Sequence, residues 1–437
     1  MSIETLFIIM FILLLFLLFA GMYIHSILLT VGILGLILLE GPGYITGFLQ
    51  SDPFIRTASY SLTTVPLFVL MAQFIVRSGI VEDLYNIVYN LSRGKSSILG
   101  VLTILAGGLM GAVSGSSNAS AGAMGQVAVP QLLKRGYGEG MAGATVAAAG
   151  SLSAVIPPSI ILILWGVATE TPIGQLFIAS IIPGLIIMVI IIAVMLVFLS
   201  NKSKSDKTES LEAPFEKEHV SLSRTIVAAI LTGLIVFTVF YGIFAGLFTP
   251  TEAGAVGALV SFLAALILRK VSVNFLSRSF ADTVKLTAMI LMIMISAQIF
   301  GRFVSISLLP RKVIELLSTL IEYPVLILII LCILYFVLFM LIEGAAVIIM
   351  TAPIVLPLIL EIGTDKIWFG VVVGILCTLG LLTPPVGLSV YSVAGVTGIS
   401  SEKIFRYALP YAVVIGVVII GLLIMFPGIA TFLPSQM

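Results

Sequence analysis

Glu343 lies in FVLFMLIEGAAVIIM, with long apolar runs on both sides. An ionisable side chain at such depth is costly and marks a functional position by default. It can stay ionised beside a cation, or hold a proton when the cation is absent. The competing role is to reach an interface or pair with a structural base such as Arg302. A second polar group, GAVSGSSNAS at residues 111–120, offers Ser114, Ser116, Ser117 and Asn118 as neutral oxygens. Gly111 and Gly115 in the same run permit close approach or positive φ. Hard cations such as sodium take oxygen ligands of this kind. The competing role is tight helix packing, since Ser, Gly and Ala also line membrane helix interfaces.

A third element is SLSAVIPPSI, residues 151–160. Pro157 and Pro158 lack an N–H, so carbonyls about four residues earlier, near Ser153 and Ala154, lose their helical donors. Those oxygens, with Ile156, could complete a cation shell facing the polar run. The plainer reading is a proline kink. The feature recurs, however, in LGLLTPPVGL at Thr383, Pro384 and Pro385.

These residues sit in a chain of 437 residues, 60% hydrophobic and 9% charged. So few charges cannot cover a soluble surface, and several segments reach the roughly 20 apolar residues that cross a bilayer. The fold class expected is an all-α polytopic membrane protein; the alternation of a membrane β-barrel is absent. The apolar run Leu6–Ala20 lacks a basic start and is followed at once by Ile27–Leu39, so both are expected as retained spans. Two histidines, His25 and His219, are too few and too far apart for a His-based metal site, and a net charge of +1 gives no reason to expect a nucleic-acid partner. Cys332 and Cys377 lie in apolar runs and read as small buried residues. Glu252 in FTPTEAGAV reads as helix capping, with Pro250 in the first turn.

One hydrophilic segment, residues 201–224, holds five basic and five acidic residues and divides the chain near its midpoint as a solvated linker. An offset of 227 residues superposes the two sides: Pro130 on Pro357, Gly136 on Gly363, Gly143 on Gly370, Pro157 on Pro384, Pro158 on Pro385 and Pro183 on Pro410. The domains expected are a first repeat at 1–200, with a hairpin at 97–130 and a broken helix at 140–168, and a second at 225–437, with a hairpin at 324–358 and a broken helix at 366–397. If both hairpins are re-entrant, each half crosses five times and the second enters from the opposite side. An N-terminus outside then places 16 of the 21 Lys and Arg residues inside, leaving Arg56, Arg302, Arg311, Lys312 and Lys366 elsewhere. The positive-inside rule favours this inverted repeat. Such repeats with interrupted helices point to a secondary transporter with its site near the midplane.

At this point the sequence resembles a known family, the large membrane subunit of tripartite ATP-independent periplasmic (TRAP) transporters. The stretches that carry the resemblance are GGLMGAVSGSSNASAGAMG, RGYGEGMAGA, SLSAVIPPSIILILWG, LFTPTEAGAVGA and LGLLTPPVGL, spread over both halves. The resemblance implies an elevator-type carrier of the ion-transporter superfamily in the bacterial inner membrane. It implies sodium as coupling ion with no other cofactor, a small Q-type subunit of four helices, and a periplasmic binding protein that delivers an organic acid such as sialic acid or a C4-dicarboxylate. The chain carries no fused N-terminal Q-like region, so that subunit is expected as a separate polypeptide. Carried over residue by residue, the sodium candidates are Ser114, Ser116, Ser117, Asn118, Ile156, Pro157, Glu343, Gly344, Thr383 and Pro384. The substrate candidates are Ser116, Ser117, Asn118, Ser159 and Glu343. Glu343 departs from the family, which more often has Asp there. The alternative within transport is a self-contained carboxylate or ion carrier without a binding protein. No enzyme is expected, because Glu343 has no His partner and neither H-E-x-x-H nor G-x-S-x-G occurs.

Overall fold

A computed structural model describes residues 3–47, 58–205 and 222–436. Arg56 and positions 206–221 of the expected linker lie outside these; residues 201–205 continue one helix and 222–224 begin the next. The described residues are helical, with no strand among them, and nine helices are long and apolar enough to cross a membrane.

The first half contains α1 (Ile3–Phe19), α2 (Ile24–Glu40), α3 (Thr64–Ser78), α4 (Ile80–Ser92), α5 (Ser96–Ser114), α6 (Ser117–Lys134), α7 (Glu139–Ser151), α8 (Ile160–Thr169) and α9 (Ile173–Ser205). The second contains α10 (Leu222–Phe244), α11 (Pro250–Ile267), α12 (Val273–Ile306), α13 (Leu309–Leu316), α14 (Pro324–Leu341), α15 (Gly344–Glu361), α16 (Lys366–Gly380), α17 (Leu388–Thr397) and α18 (Ser401–Ile415). The 227-residue offset carries the bounds of α6 onto those of α15 and the start of α7 onto that of α16. The hairpins therefore run four residues further than expected at 134 and three further at 361. Two elements escaped the hydropathy reading: α4 and α13 are short amphipathic helices, too polar to register as spans.

The two broken helices run in opposite directions. At one end of the bundle the first residue of α7, Glu139, meets Lys403 near the start of α18, with Nζ 2.7 Å from Oε2. At the other end the indole of Trp165, late in α8, donates to the carbonyl of Lys366, the first residue of α16, at 3.0 Å. The Lys366 ammonium donates in turn to the Thr169 carbonyl at 3.4 Å. The start of each broken helix is thus held against the far side of the other, and the repeats are inverted.

Their inner halves form the core. Every residue from Gly140 to Ser151 in α7 and from Trp368 to Gly380 in α16 is buried, as expected of helices that are apolar or small on all sides. Thr378 shares its hydroxyl proton between the Gly374 carbonyl of its own helix at 3.2 Å and the Ser151 carbonyl at 3.3 Å. These residues are separated by the repeat offset itself, and a residue can touch its own repeat mate only near the axis relating the halves.

Around this core each hairpin braces the opposite half. α6 packs on α17, with Gly125 facing Val393 and Val396, and α15 packs on α8, with Gly344 against Ile161. The remaining helices form a second layer in which α2 pairs with α12, α3 with α11, and α12 also with α3. The α11 start bears the expected cap: Thr249 accepts from the Glu252 amide at 3.3 Å while Glu252 Oε2 accepts from the Thr249 amide at 2.8 Å, a reciprocal capping box. Glu252 is structural.

The fit between halves is close at Gly370, where a Cβ would lie 2.4 Å from Trp165 Cδ1. Gly370→Ala should cost about 1–3 kcal/mol, as overpacking does. A clearly lowered unfolding temperature in detergent would bear this out, and an unchanged one would show that the Trp165 ring yields.

Candidate functional site

Hairpin 1 turns at Gly115, with φ +61°, a conformation natural to glycine. A Cβ there would stand 2.7 Å from the Pro158 carbonyl oxygen. The turn is also tied to the first break through its backbone: the Ile160 amide, just beyond Pro158, donates to the Gly115 carbonyl at 3.3 Å. Both double prolines, Pro157-Pro158 and Pro384-Pro385, contain cis bonds.

Sequence reasoning named four oxygens at this tip, and the structure gathers a larger set. Ser114 bonds to the Ser120 hydroxyl, which accepts from Ser153 at 2.9 Å. Ser117 donates to the Ser151 carbonyl at 3.4 Å, the acceptor that also takes the Thr378 hydroxyl. Ser116 is the extended residue before α6, its amide donating to Ser114 Oγ at 3.4 Å. Asn118 Oδ1 is buried and has no hydrogen-bond partner. Ser120, Ser151 and Thr378 were not singled out from sequence, and Ser153 was named only for its carbonyl. Ser120 stood in the quoted run, and Thr378 could have been found as the repeat mate of Ser151.

Ser159 is fully buried, donates to the Ala154 carbonyl at 2.7 Å and accepts from the Leu162 amide at 3.4 Å. It caps α8 and occupies one of the carbonyls that the prolines were expected to free. Ser159→Ala should therefore reduce the folded yield, by about 1 kcal/mol of cap, and leave the KM of correctly folded protein unchanged. A raised KM at normal folded yield would assign the hydroxyl to a ligand instead. Ile156 is half-buried, packed near Gly108 and Gly184, and Pro157 is buried beside it.

Hairpin 2 turns at Glu343, which caps α15: Oε2 accepts from the amides of Ala345 at 3.0 Å and Ala346 at 3.3 Å. Its other oxygen, Oε1, makes no hydrogen bond or ion pair among the described residues. The suggested pairing with Arg302 is not formed. Arg302 Nε donates to the Tyr44 hydroxyl at 2.8 Å, with its guanidinium over that ring. Gly344 sits against α16, where a Cβ would lie 3.1 Å from Cys377 Sγ. Cys377 directly precedes Thr378, so both tips meet the core at its axis. At the second break, Thr383 is buried with its hydroxyl on the Leu379 carbonyl at 2.7 Å. Pro384 is half-buried and Pro385 exposed, whereas Pro157 and Pro158 are both buried. Among the described residues no three His, Cys, Asp or Glu side chains cluster as a transition-metal site would require. The donors present are hydroxyls, carbonyls and one carboxylate, which suits a hard monovalent or divalent cation.

A cavity of about 1230 Å³ lies at the end opposite Glu139 and Lys403, between α3, α11 and α12 on one side and α8, α9 and α15 on the other. Ile349 and Pro353 of α15 form part of its wall, but none of the tip residues does.

An all-helical architecture with inverted repeats, each closing a hairpin onto an interrupted helix, defines the chain as a multi-pass membrane protein. The Alcanivorax borkumensis YdaH transporter shares that fold: its crystal structure aligns with a TM-score of 0.64 at 15% identity, covering 92% of this chain and 90% of that one. The family model for the tripartite ATP-independent periplasmic transporter, DctM component, matches residues 8–429. The chain therefore belongs to that family, as a large permease component. It is 30% identical to the C4-dicarboxylate TRAP transporter large permease protein DctM of Pseudomonas aeruginosa, over 87% of this chain and 88% of that protein. It is equally 30% identical to the sialic acid TRAP transporter large permease protein SiaM of Vibrio cholerae, over 96% of each.

Proposed function

We propose that this chain is the transport subunit of a three-part uptake system in a bacterial inner membrane, using a sodium gradient to import a small organic acid. A periplasmic binding protein delivers the acid, and a small membrane subunit of four helices completes the assembly. The chain divides functionally as repeats 1–200 and 225–437 joined by a cytoplasmic linker. The movable unit comprises both hairpins and both broken helices, α5–α9 and α14–α18, carried past the layer of α1–α4 and α10–α13 as an elevator. The substrate class follows the relatives: sialic acids and C4-dicarboxylates both present carboxylates to a site rich in hydroxyls.

The observation that carries this reading is the pair of uncommitted oxygens at the two tips, Asn118 Oδ1 and Glu343 Oε1. Buried polar atoms nearly always have partners, so an orphaned amide oxygen on the same tip as the Ser114, Ser117 and Ser120 hydroxyls supports a cation that supplies the missing contact. Sodium arriving there would draw hairpin and broken helix together and shape the acid's site, so that the loaded and empty states differ in their freedom to move.

The test is uptake into proteoliposomes, with a C4-dicarboxylate and a sialic acid as substrates. Sodium, the binding protein and the small subunit are each omitted in turn. Uptake is expected to require all three. Undiminished uptake without a sodium gradient would overturn the coupling, and undiminished uptake without the binding protein would make the chain a self-contained carrier.

A further inference from the structure

A second cavity, about 550 Å³, opens at the basic end of the bundle between hairpin arm α6 and the layer formed by α3, α4, the α11–α12 connection and α12. Its charged lining residues are Arg77, Lys270 and Arg278, against Glu82 alone. The outer cavity, by contrast, is lined by one cation, Arg302, and one carboxylate, Glu170. We infer that the basic cavity is the inner vestibule of the transport path, an anion-attracting chamber that receives the acid from the hairpin 1 tip. This rests on the uptake reading above and adds the route and the charges that shape it.

Three features carry the inference. The cavity's α6 wall begins at Ala119, one residue along the chain from Asn118 with its unpartnered oxygen, and continues through Ala123 and Gln126. Its charges and its moving wall are separated: the cations all lie on the supporting layer, and the hairpin contributes only small or neutral residues. A sliding hairpin would thus pass a fixed positive field instead of carrying it along. Finally, that field is available. Arg77 is paired with Asp282, but Lys270 and Arg278 are exposed and make no ion pair among the described residues. Cations focused between low-dielectric walls raise the local concentration of anions. By the positive-inside rule this end faces the cytoplasm, where the negative interior potential repels an incoming acid. The vestibule offsets that repulsion at the last stage of the path. A volume of this order suits a small organic acid.

The same chemistry could recruit an anionic lipid headgroup, since juxtamembrane Lys and Arg attract acidic lipids. The test separates the two. Ala123→Cys, with Ala119→Cys as a second position should the first fail to fold, is placed in the full-length chain in nanodiscs. Both native cysteines, Cys332 and Cys377, are buried. The introduced thiol is treated with methanethiosulfonate reagents bearing either a sulfonate or a trimethylammonium group, and Ser435→Cys on the exposed C-terminal segment serves as reference. The sulfonate-to-ammonium rate ratio is expected to be about tenfold higher in the cavity than at the reference, and to return to the reference value with Lys270→Gln and Arg278→Gln combined. Millimolar succinate or N-acetylneuraminate should slow the sulfonate reagent. A ratio equal to the reference would overturn the inference. So would a thiol blocked to both reagents in discs containing phosphatidylglycerol and open in phosphatidylcholine alone, which would assign the cavity to lipid. Sodium-driven uptake with a flat ratio would remove only the vestibule. A high ratio without uptake of any acid would leave an anion chamber and remove the uptake reading.

Discussion

Glu343→Gln is expected to weaken the sodium dependence of uptake severely while leaving the protein folded. The side chain has two separable tasks. Oε2 caps α15 by accepting two backbone amides, and a glutamine amide oxygen can still accept them. The charge and the uncommitted Oε1 are what glutamine alters. Under the proposed coupling, loss of the charge weakens the attraction for a cation in a poorly solvated site, where one charge counts for several kcal/mol. The sodium concentration for half-maximal uptake should then rise at least about tenfold, each 1.4 kcal/mol being one decade. Glu343→Ala loses the cap as well, at about 1 kcal/mol, so it should also melt at a lower temperature than Glu343→Gln. Sodium titration of uptake, beside thermal unfolding of both variants, checks the claim. Wild-type sodium dependence in Glu343→Gln would confine this residue to capping.

Gly115→Val should be the most damaging change at the other tip. The residue holds φ +61°, and a β-branched side chain is a poor fit to that conformation. A Cβ would also meet the Pro158 carbonyl at 2.7 Å. That neighbour is backbone, so it cannot rotate aside. The hairpin would have to withdraw from the broken helix, opening the Ile160–Gly115 hydrogen bond and parting the serine cluster. Uptake is expected to fall by at least about a hundredfold, as displacement of about 1 Å at a working site can cost that much. Size-exclusion profiles and thermal unfolding of the purified variant would separate this from misfolding. Uptake within a factor of two of the parent would show that tip closure does not limit transport.

Much of this arrangement was legible in the chain. The 227-residue register of Pro157-Pro158 and Pro384-Pro385 gave two related halves, and proline's missing N–H marked where helices must break. The polar run around Gly115 was recognisable as a turn because serine, glycine and asparagine are poor continuations of a membrane helix. What escaped has identifiable causes. Helices α4 and α13 alternate polar and apolar residues on opposite faces, so averaging along the chain hides them. Ser151 and Thr378 look like isolated hydroxyls in small-residue helices, and only their approach across the axis gives them a shared acceptor. Ser159, expected among the substrate contacts, lies beside the break, where its hydroxyl donates to the Ala154 carbonyl. The basic cavity draws Arg77, Lys270 and Arg278 from three separate parts of the sequence. No local pattern brings those together; the packing of α6 beside α3 and α12 does.

The Ser151 carbonyl receives both Ser117, from the first tip, and Thr378, whose neighbour Cys377 abuts Gly344 of the second. A carbonyl oxygen has two lone pairs and here both have takers. Anything that draws Ser117 toward an ion therefore reaches the second tip through one shared atom, and the reverse holds equally, since such coupling is reciprocal. If sodium binds at both tips, as the proposed coupling has it, two sites joined in this way would fill as a pair. The transporter would then answer a falling gradient steeply, close to a threshold, and a Hill slope above one in the sodium titration is its measurable sign.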